Sequence, residues 1–204
     1  MALITAAEAR AYLPGLTGTT EDTSLAVFIT RASSLIAEYL GWPPATSGAD
    51  PTIEDATYTL YSGRGRAVVG VVDSSVLRLP VRPLVSVTSV YDDPDRVYGS
   101  GQLIASADYD VEKEDGEIIL LPTAGHSWST GMAAIRVICV AGYETVPAWA
   151  AHAAGLMTHH LWDLRHTQGR QSVGQGGVSL SLTPETMPEV VREVLSGYRI
   201  LGAT

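Results

Sequence analysis

The sequence predicts an α+β fold: a helical bundle of about four helices with an antiparallel β-rich subdomain inserted between the second helix and a long central helix. Three observations lead there. Apolar residues recur at the i, i+3, i+4, i+7 spacing of helices toward both ends of the chain. From about Ile53 to Tyr143 the spacing changes to period two and turn residues come close together. Between Pro147 and His166 the run P-A-W-A-A-H-A-A-G-L-M-T-H-H-L-W-D-L-R-H reads as a helix with no charged face. These changes divide the chain into an N-terminal helical part, 1–52, the β-rich insertion, 53–146, and 147–204, where a long helix, a flexible loop and a C-terminal helix complete the helical domain.

Each element has its own local cause. Thr5-x-x-Glu8 is a capping box that opens a short helix ending before Pro14-Gly15. The second helix is expected from about Asp22 to Leu40, with Leu25, Phe28, Ile29, Ala32, Leu35, Ile36 and Tyr39 on one face and Gly41 as its stop. The Pro- and Gly-rich stretch W-P-P-A-T-S-G-A-D-P then marks a boundary loop. The insertion should hold about six strands. Tyr58 and Leu60 and the run Val68 to Val72 flank the turn S-G-R-G-R, and Val76 to Leu79 leads into P-V-R-P. Leu84 to Tyr91 alternates apolar residues with hydroxyls, as a strand with one buried face does. Asp108 to Glu112 and Glu117 to Leu121 should form a hairpin with Asp115-Gly116 in a type I′ turn, and Ile135 to Val140 closes the set.

Pro147 suits the first position of the central helix, where a missing N–H costs nothing. Ala150, Ala153, Met157, Leu161 and Leu164 make its core stripe. The other side carries Ala148, Ala151, His152, Gly155, His159, Trp162 and His166, where a solvated face would show Lys and Glu. Small residues admit a second backbone, and His and Trp tolerate partial burial, so this side too is expected to be covered, by a second copy of the chain. Gly169 to Gly177 has no apolar anchor and reads as a flexible loop, followed by a short strand at Val178 to Leu182. The last helix begins near Thr186 or Pro188 with Val190, Val191, Val194, Leu195 and Tyr198 on one side, and its apolar end suits docking on a neighbour.

Composition narrows the function. Acidic residues outnumber basic ones 22 to 13, a net charge of −9, which argues against a protein that grips phosphate backbones. Charged residues make up 17% of the chain, too few to coat a free monomer comfortably, and this again favours association. The single cysteine, Cys139, sits among alternating apolar residues and reads as a buried structural thiol. The N-terminal run lacks the pattern of a secretion signal and no apolar stretch reaches membrane-spanning length, so a soluble protein made in the cytoplasm is expected.

Motifs that could carry chemistry are weak. His152, His159, Asp163 and His166 share a helical sector and offer metal-ligand chemistry, but His152 and His159 lie two turns apart and no H-E-x-x-H is present. Structural or interface histidines are the better reading, with a histidine-site hydrolase as the enzymatic alternative. Gly125-His126-Ser127-Trp128-Ser129 lacks the second glycine and the strand-to-helix setting of a nucleophile elbow. The acidic groups at Asp92 to Asp95 and Glu112 to Glu117 do not follow calcium-loop spacing and read as solvated turns. The glycine runs G-R-G-R and G-Q-G-G lack the partners of a phosphate-binding loop. No cofactor, metal or catalytic residue is expected.

The order of motifs resembles the head-tail connector, or adaptor, family of long-tailed bacteriophages and gene transfer agents, in its longer form with a β insertion. The resemblance is carried by L-I-T-A-A-E-A-R-A-Y-L, I-A-E-Y-L-G, L-R-L-P-V-R-P-L-V-S-V-T-S-V, D-Y-D-V, G-E-I-I-L-L-P, I-R-V-I-C-V-A-G-Y, the Val146-Pro147 pair and P-E-V-V-R-E-V-L-S-G-Y-R. It implies a non-enzymatic virion part at the head–tail junction, assembled in the bacterial host cytoplasm as a dodecameric ring under the portal protein. The ring would offer the surface for stopper or tail-completion proteins, and DNA would pass through its channel without sequence-specific binding. A stopper or tail-completion role is the alternative. By the resemblance, the last helix and tail, with Pro188, Val191, Leu195, Tyr198, Arg199 and Leu201, would dock on the portal. The helix face places His152, Gly155, His159 and Trp162 at a subunit contact.

Overall fold

The capping box forms as its residue types require: Glu8 N–H donates to Thr5 Oγ1 at 3.2 Å and Thr5 N–H donates to Glu8 Oε2 at 2.7 Å, opening α1 (Ala6–Arg10). The computed structural model describes residues 2–63, 68–165, 172–175, 178–181 and 187–200. The described residues fall into two compact units. One draws on Met1–Ile36 and Val146–Arg199, the other on Ala37–Thr145 together with Ile200.

α2 (Asp22–Leu40), which belongs to the first unit as far as Ile36, turns Leu25, Ile29, Ala32 and Ile36 inward at helical spacing. Its buried Ser33 is satisfied twice, donating to the Ile29 carbonyl at 2.8 Å and accepting the Leu3 N–H at 3.0 Å. The central helix α3 (Ala148–Leu164) starts one residue later than its proline suggests. Pro147 is the N-cap, in extended conformation, and its carbonyl accepts the N–H groups of Ala150 and Ala151. Ala150, Ala153 and Met157 are fully buried as expected, while Leu161 and Leu164 are half-buried. The last helix, α4 (Glu189–Leu195), buries Val191 and Leu195 completely and continues as a 3-10 turn, Ser196–Tyr198.

In the second unit seven strands form one sheet in the order β4-β7-β1-β2-β3-β6-β5. They are β1 (Ala56–Ser62), β2 (Val68–Val71), β3 (Val76–Arg78), β4 (Leu84–Asp92), β5 (Tyr109–Glu112), β6 (Glu117–Leu120) and β7 (Ile135–Ala141). The sheet is mixed, where an all-antiparallel one was expected. Antiparallel pairing with β7 occupies β1 along most of its length, and only Tyr61 and Ser62 meet β2, in parallel. A hydrogen bond of 2.8 Å from Leu84 N–H to the Lys113 carbonyl links the outer strands, so the sheet is nearly closed. Ile135, Val137, Cys139 and Ala141 of β7 alternate into a core shared with Tyr58, Leu60, Leu77, Val90 and Ile118. Burial pushes the Cys139 thiol up to about 12, as befits an inert packing residue.

Three turns differ from expectation. Between β5 and β6 only Gly116 has a positive φ, +70°, so the loop is not a type I′ turn, which needs two such residues; Gly116 N–H instead closes on the Glu112 carbonyl at 3.0 Å. The Asp92–Asp95 segment is not simply solvated, because Asp93 is buried. Within the stretch expected to be a flexible loop, Ser172–Gln175 is a strand, β8, paired antiparallel with β9 (Val178–Ser181). The stretch holds one apolar residue, Val173, and the register sets it opposite Leu180.

Gly142, just after β7, has φ +128°, and a Cβ there would overlap the Glu54 carbonyl. Gly15 also has positive φ, +103°, with open space around it. Gly142→Ala should therefore lower the urea midpoint by the equivalent of ~3 kcal/mol or more, and Gly15→Ala by ~1 kcal/mol, the cost of left-handed backbone alone. Equal effects would remove the steric argument.

Candidate functional site

Two sets of residues were expected to form surfaces, and the structure treats them differently. On α3, Gly155 is covered by Tyr12, whose ring occupies the space a Cβ would need. Tyr12 in turn holds His152, with its hydroxyl 3.1 Å from Nδ1 and the two rings tilted at 5.8 Å. Trp162 is buried against Phe28, ring edge to face at 5.5 Å, and the Arg165 guanidinium lies 3.4 Å above its ring centre. The small-residue and aromatic signals that suggested a second copy are thus met at Gly155 and Trp162 by the chain itself. His152 stays exposed, and His159 is partly exposed and faces Asp163 one turn on at 3.3 Å.

That arrangement holds no metal-ligand set. His159 and Asp163 make an exposed i, i+4 pair of small energetic weight, and His152 is engaged by a phenol. No group of three or more His, Cys, Asp or Glu suited to a metal occurs among the described residues, and His166 lies outside them.

In the C-terminal set, Val191 and Leu195 are fully buried. Tyr198 is half-exposed and stacks on Trp149 at 4.1 Å with the rings 8° from parallel, which fixes the turn after α4 against the start of α3. Pro188 is half-buried and is the N-cap of α4, Arg199 is exposed, and Leu201 lies outside the described residues. Val190, one residue from the inward stripe, presents an exposed apolar side chain instead.

Sequence reasoning missed a cluster in the sheet unit. Arg136 of β7 places its guanidinium 4.2 Å from the Tyr91 ring centre and 4.4 Å from that of Tyr98, while Tyr61 lies 5.9 Å from Tyr98. Register brings them together, since Arg136 pairs with both Tyr61 and Tyr91. The one available signal was an arginine inside an apolar strand, I-R-V-I-C-V-A. Asp93 positions Tyr98: its Oδ2 accepts the N–H of Val97 at 2.7 Å and of Tyr98 at 2.6 Å, and its Oδ1 accepts that of Asp95 at 3.0 Å. The Tyr98 N–H, above all, holds the Asp93 carboxyl below its ordinary range, against the raising effect of burial. Elsewhere the His126–Trp128 loop is structural, with Trp128 buried and its indole N–H bonded to the Ser75 carbonyl at 2.8 Å.

This architecture, four helices with a seven-stranded sheet inserted between α2 and α3, is matched in sequence over nearly the whole chain by the head completion protein family model, residues 2–201. The chain belongs to that family. The fold is also similar to a chain from the neck of a native gene transfer agent particle with C12 symmetry, at a TM-score of 0.56 and 16% identity over 96% of this chain and 87% of that one. A chain from the neck of an empty gene transfer agent particle with C6 symmetry gives a TM-score of 0.57 and 19% identity over 98% and 90%. No curated protein sequence matches the chain.

Two outcomes test the local geometry. Gly155→Ala should cost ~1–3 kcal/mol by forcing the Tyr12 ring aside, and should cost little in a Tyr12→Ala background; a double-mutant cycle by urea denaturation measures the coupling. A lowered carboxyl pKa adds stability that is complete above the unfolded value, about 4, and is lost as pH falls through the folded one. Amide protection at Val97 and Tyr98 should accordingly drop below about pH 4. In Asp93→Asn, which lacks one acceptor oxygen, it should already be low at neutral pH.

Proposed function

We propose that the chain is the head–tail connector of a tailed phage or gene transfer agent particle, a non-enzymatic part that forms a ring beneath the portal and provides the attachment surface for stopper or tail. One observation carries this reading: the head completion protein family model spans residues 2–201, so helices and insertion alike belong to the family unit. The likeness in fold to neck chains of particles with C12 and C6 symmetry supports a closed ring of identical subunits, for which twelve copies is the stoichiometry proposed. The net charge of −9 supports a channel that lets DNA slide, since an acidic wall gives phosphates nothing to bind. Cofactors have no part in it.

Within this reading the portal contact uses the outer side of the C-terminal segment: Pro188, Val190, Tyr198, Arg199 and the tail at Leu201, with Val191 and Leu195 holding that surface in place from behind. The subunit contact uses the exposed part of α3 at His152 and His159, backed by Gly155 and Trp162.

The test is the mass of the purified protein alone and mixed with portal rings, by light scattering after size exclusion. A ring-sized species or co-migration with the portal supports the connector; binding to tail components without the portal would move the protein to a stopper or tail-completion role. Val190→Asp should abolish co-migration with the portal while leaving circular dichroism unchanged, because the side chain is 51% exposed. Removing everything after Met187 is a poorer probe, since it also strips Val191 and Leu195 from the core.

A further inference from the structure

Among the described residues, three that are not glycine have a positive φ: Arg96 at +64°, Tyr98 at +53° and Ala133 at +56°. Every other described residue with positive φ is a glycine. Arg, Tyr and Ala resist left-handed backbone, which Gly adopts freely and Asn and Asp tolerate. The three stand together, since the Tyr98 hydroxyl donates to the Ala133 carbonyl, and Ala133 is fixed in turn by its N–H on the Ser62 carbonyl. Strained backbone persists only where its surroundings over-determine it. Here it adjoins Arg136, whose guanidinium is clamped between the Tyr91 and Tyr98 rings and whose Nε–H is buried with no hydrogen-bond partner. A buried donor left unpaired is a second local cost.

The segment that carries Arg96 and Tyr98 is pinned to the sheet at both ends. Asp93 N–H donates to the Ala134 carbonyl at 2.7 Å, and Ile104 N–H donates to the Val90 carbonyl at 2.9 Å. Between the pins Pro94 to Val97 are exposed. Among the described residues, the stretch from Pro94 to Tyr98 is hydrogen-bonded only to Asp93 and, through the Tyr98 hydroxyl, to Ala133. We propose that this segment is a strap that opens as a unit, lifting Tyr98 off Arg136 while β7 stays paired, and so decides whether the Arg136 guanidinium is covered. Opening relaxes Arg96 and Tyr98, removes one of the bonds that hold Ala133, and brings the Arg136 Nε–H to water. Closure rests on the Asp93 carboxylate, one hydroxyl and the ring contacts. With two local costs relieved and few bonds broken, the opening belongs with the local motions that lie well below global unfolding. The inference is independent of the connector reading.

Hydrogen exchange of the full chain, followed by NMR at about pH 6, where Asp93 is ionised, tests the strap through three protons. They are the amide N–H of Val97, that of Tyr98 and the Nε–H of Arg136. Corrected for intrinsic rates, all three should exchange by a common factor, at least about tenfold faster than the β7 amides of Val137 and Cys139. Low urea should speed the β7 amides steeply and these three hardly at all, because a local opening exposes little surface. Arg96 is exposed, so substitutions there leave the packing intact. Arg96→Gly, which suits left-handed backbone, should slow all three roughly threefold, and Arg96→Val, which suits it least, should speed them roughly tenfold. Tyr98→Phe, which lacks the hydroxyl, should also speed them. Three protons as protected and as urea-sensitive as the β7 amides overturn the strap. So does an Arg136 Nε–H that keeps its wild-type rate while the Val97 and Tyr98 amides move.

Discussion

The sheet unit depends on the double pairing of β7. β7 is hydrogen-bonded to β1 on one side and to β4 on the other, so Arg136 to Ala141 are each fixed by two registers at once. A slip of one residue would turn Ile135, Val137 and Cys139 outward and Arg136 and Ile138 into the core, which neither neighbour can absorb. That constraint is what holds Arg136 on the outer face between Tyr91 and Tyr98. Irregular register in β4 between Leu84 and Ser86 and between Val87 and Ser89 shows which partner yields: β4 bends to follow β7. Gly142 ends the strand in a conformation that an L-side chain resists, with Glu54 and Tyr143 bridged beside it.

In the helical unit, close approach takes the place of register. α3 uses alanines at 150, 153 and 154 and glycine at 155, so neighbours come near its axis and bury little area per residue. Large side chains then come from outside: Tyr12 over Gly155, Phe28 against Trp162, Tyr198 on Trp149. Each is aromatic, one seated where a glycine leaves room and two against the tryptophans of the helix. The helix is covered on more than one side chiefly because short segments of its own chain fold back upon it.

Much of this was legible in the sequence where a local rule decides the structure. The Thr5/Glu8 box, the α2 face and the alternation in β7 follow from spacing alone, because capping and amphipathic burial act within a few residues. The parallel pair of β1 and β2 and the Tyr–Arg cluster were not legible, since they depend on register between segments tens of residues apart. Asp93 was misread for a related reason. Four acidic and proline residues in a row suggest solvent, yet one carboxylate is placed by backbone N–H groups that become available only once the 93–98 turn has formed. On α3 the pattern correctly indicated cover over Gly155 and Trp162, but could not say whose side chains supplied it.

Charge economy connects these observations to assembly. With 13 basic residues against 22 acidic, several cations are already committed within the protomer: Arg10 to Asp22, Arg78 to Glu117, Arg136 and Arg165 over aromatic rings. Exposed carboxylates are left in excess, so two copies at random orientation repel one another, weakly at physiological salt and only at short range. Association of copies in the proposed ring then has to come chiefly from apolar area, and like charge penalises wrong orientations. In the ring proposed above, the many exposed carboxylates exclude contacts that bring them face to face, so the surfaces with fewest of them are left to pair.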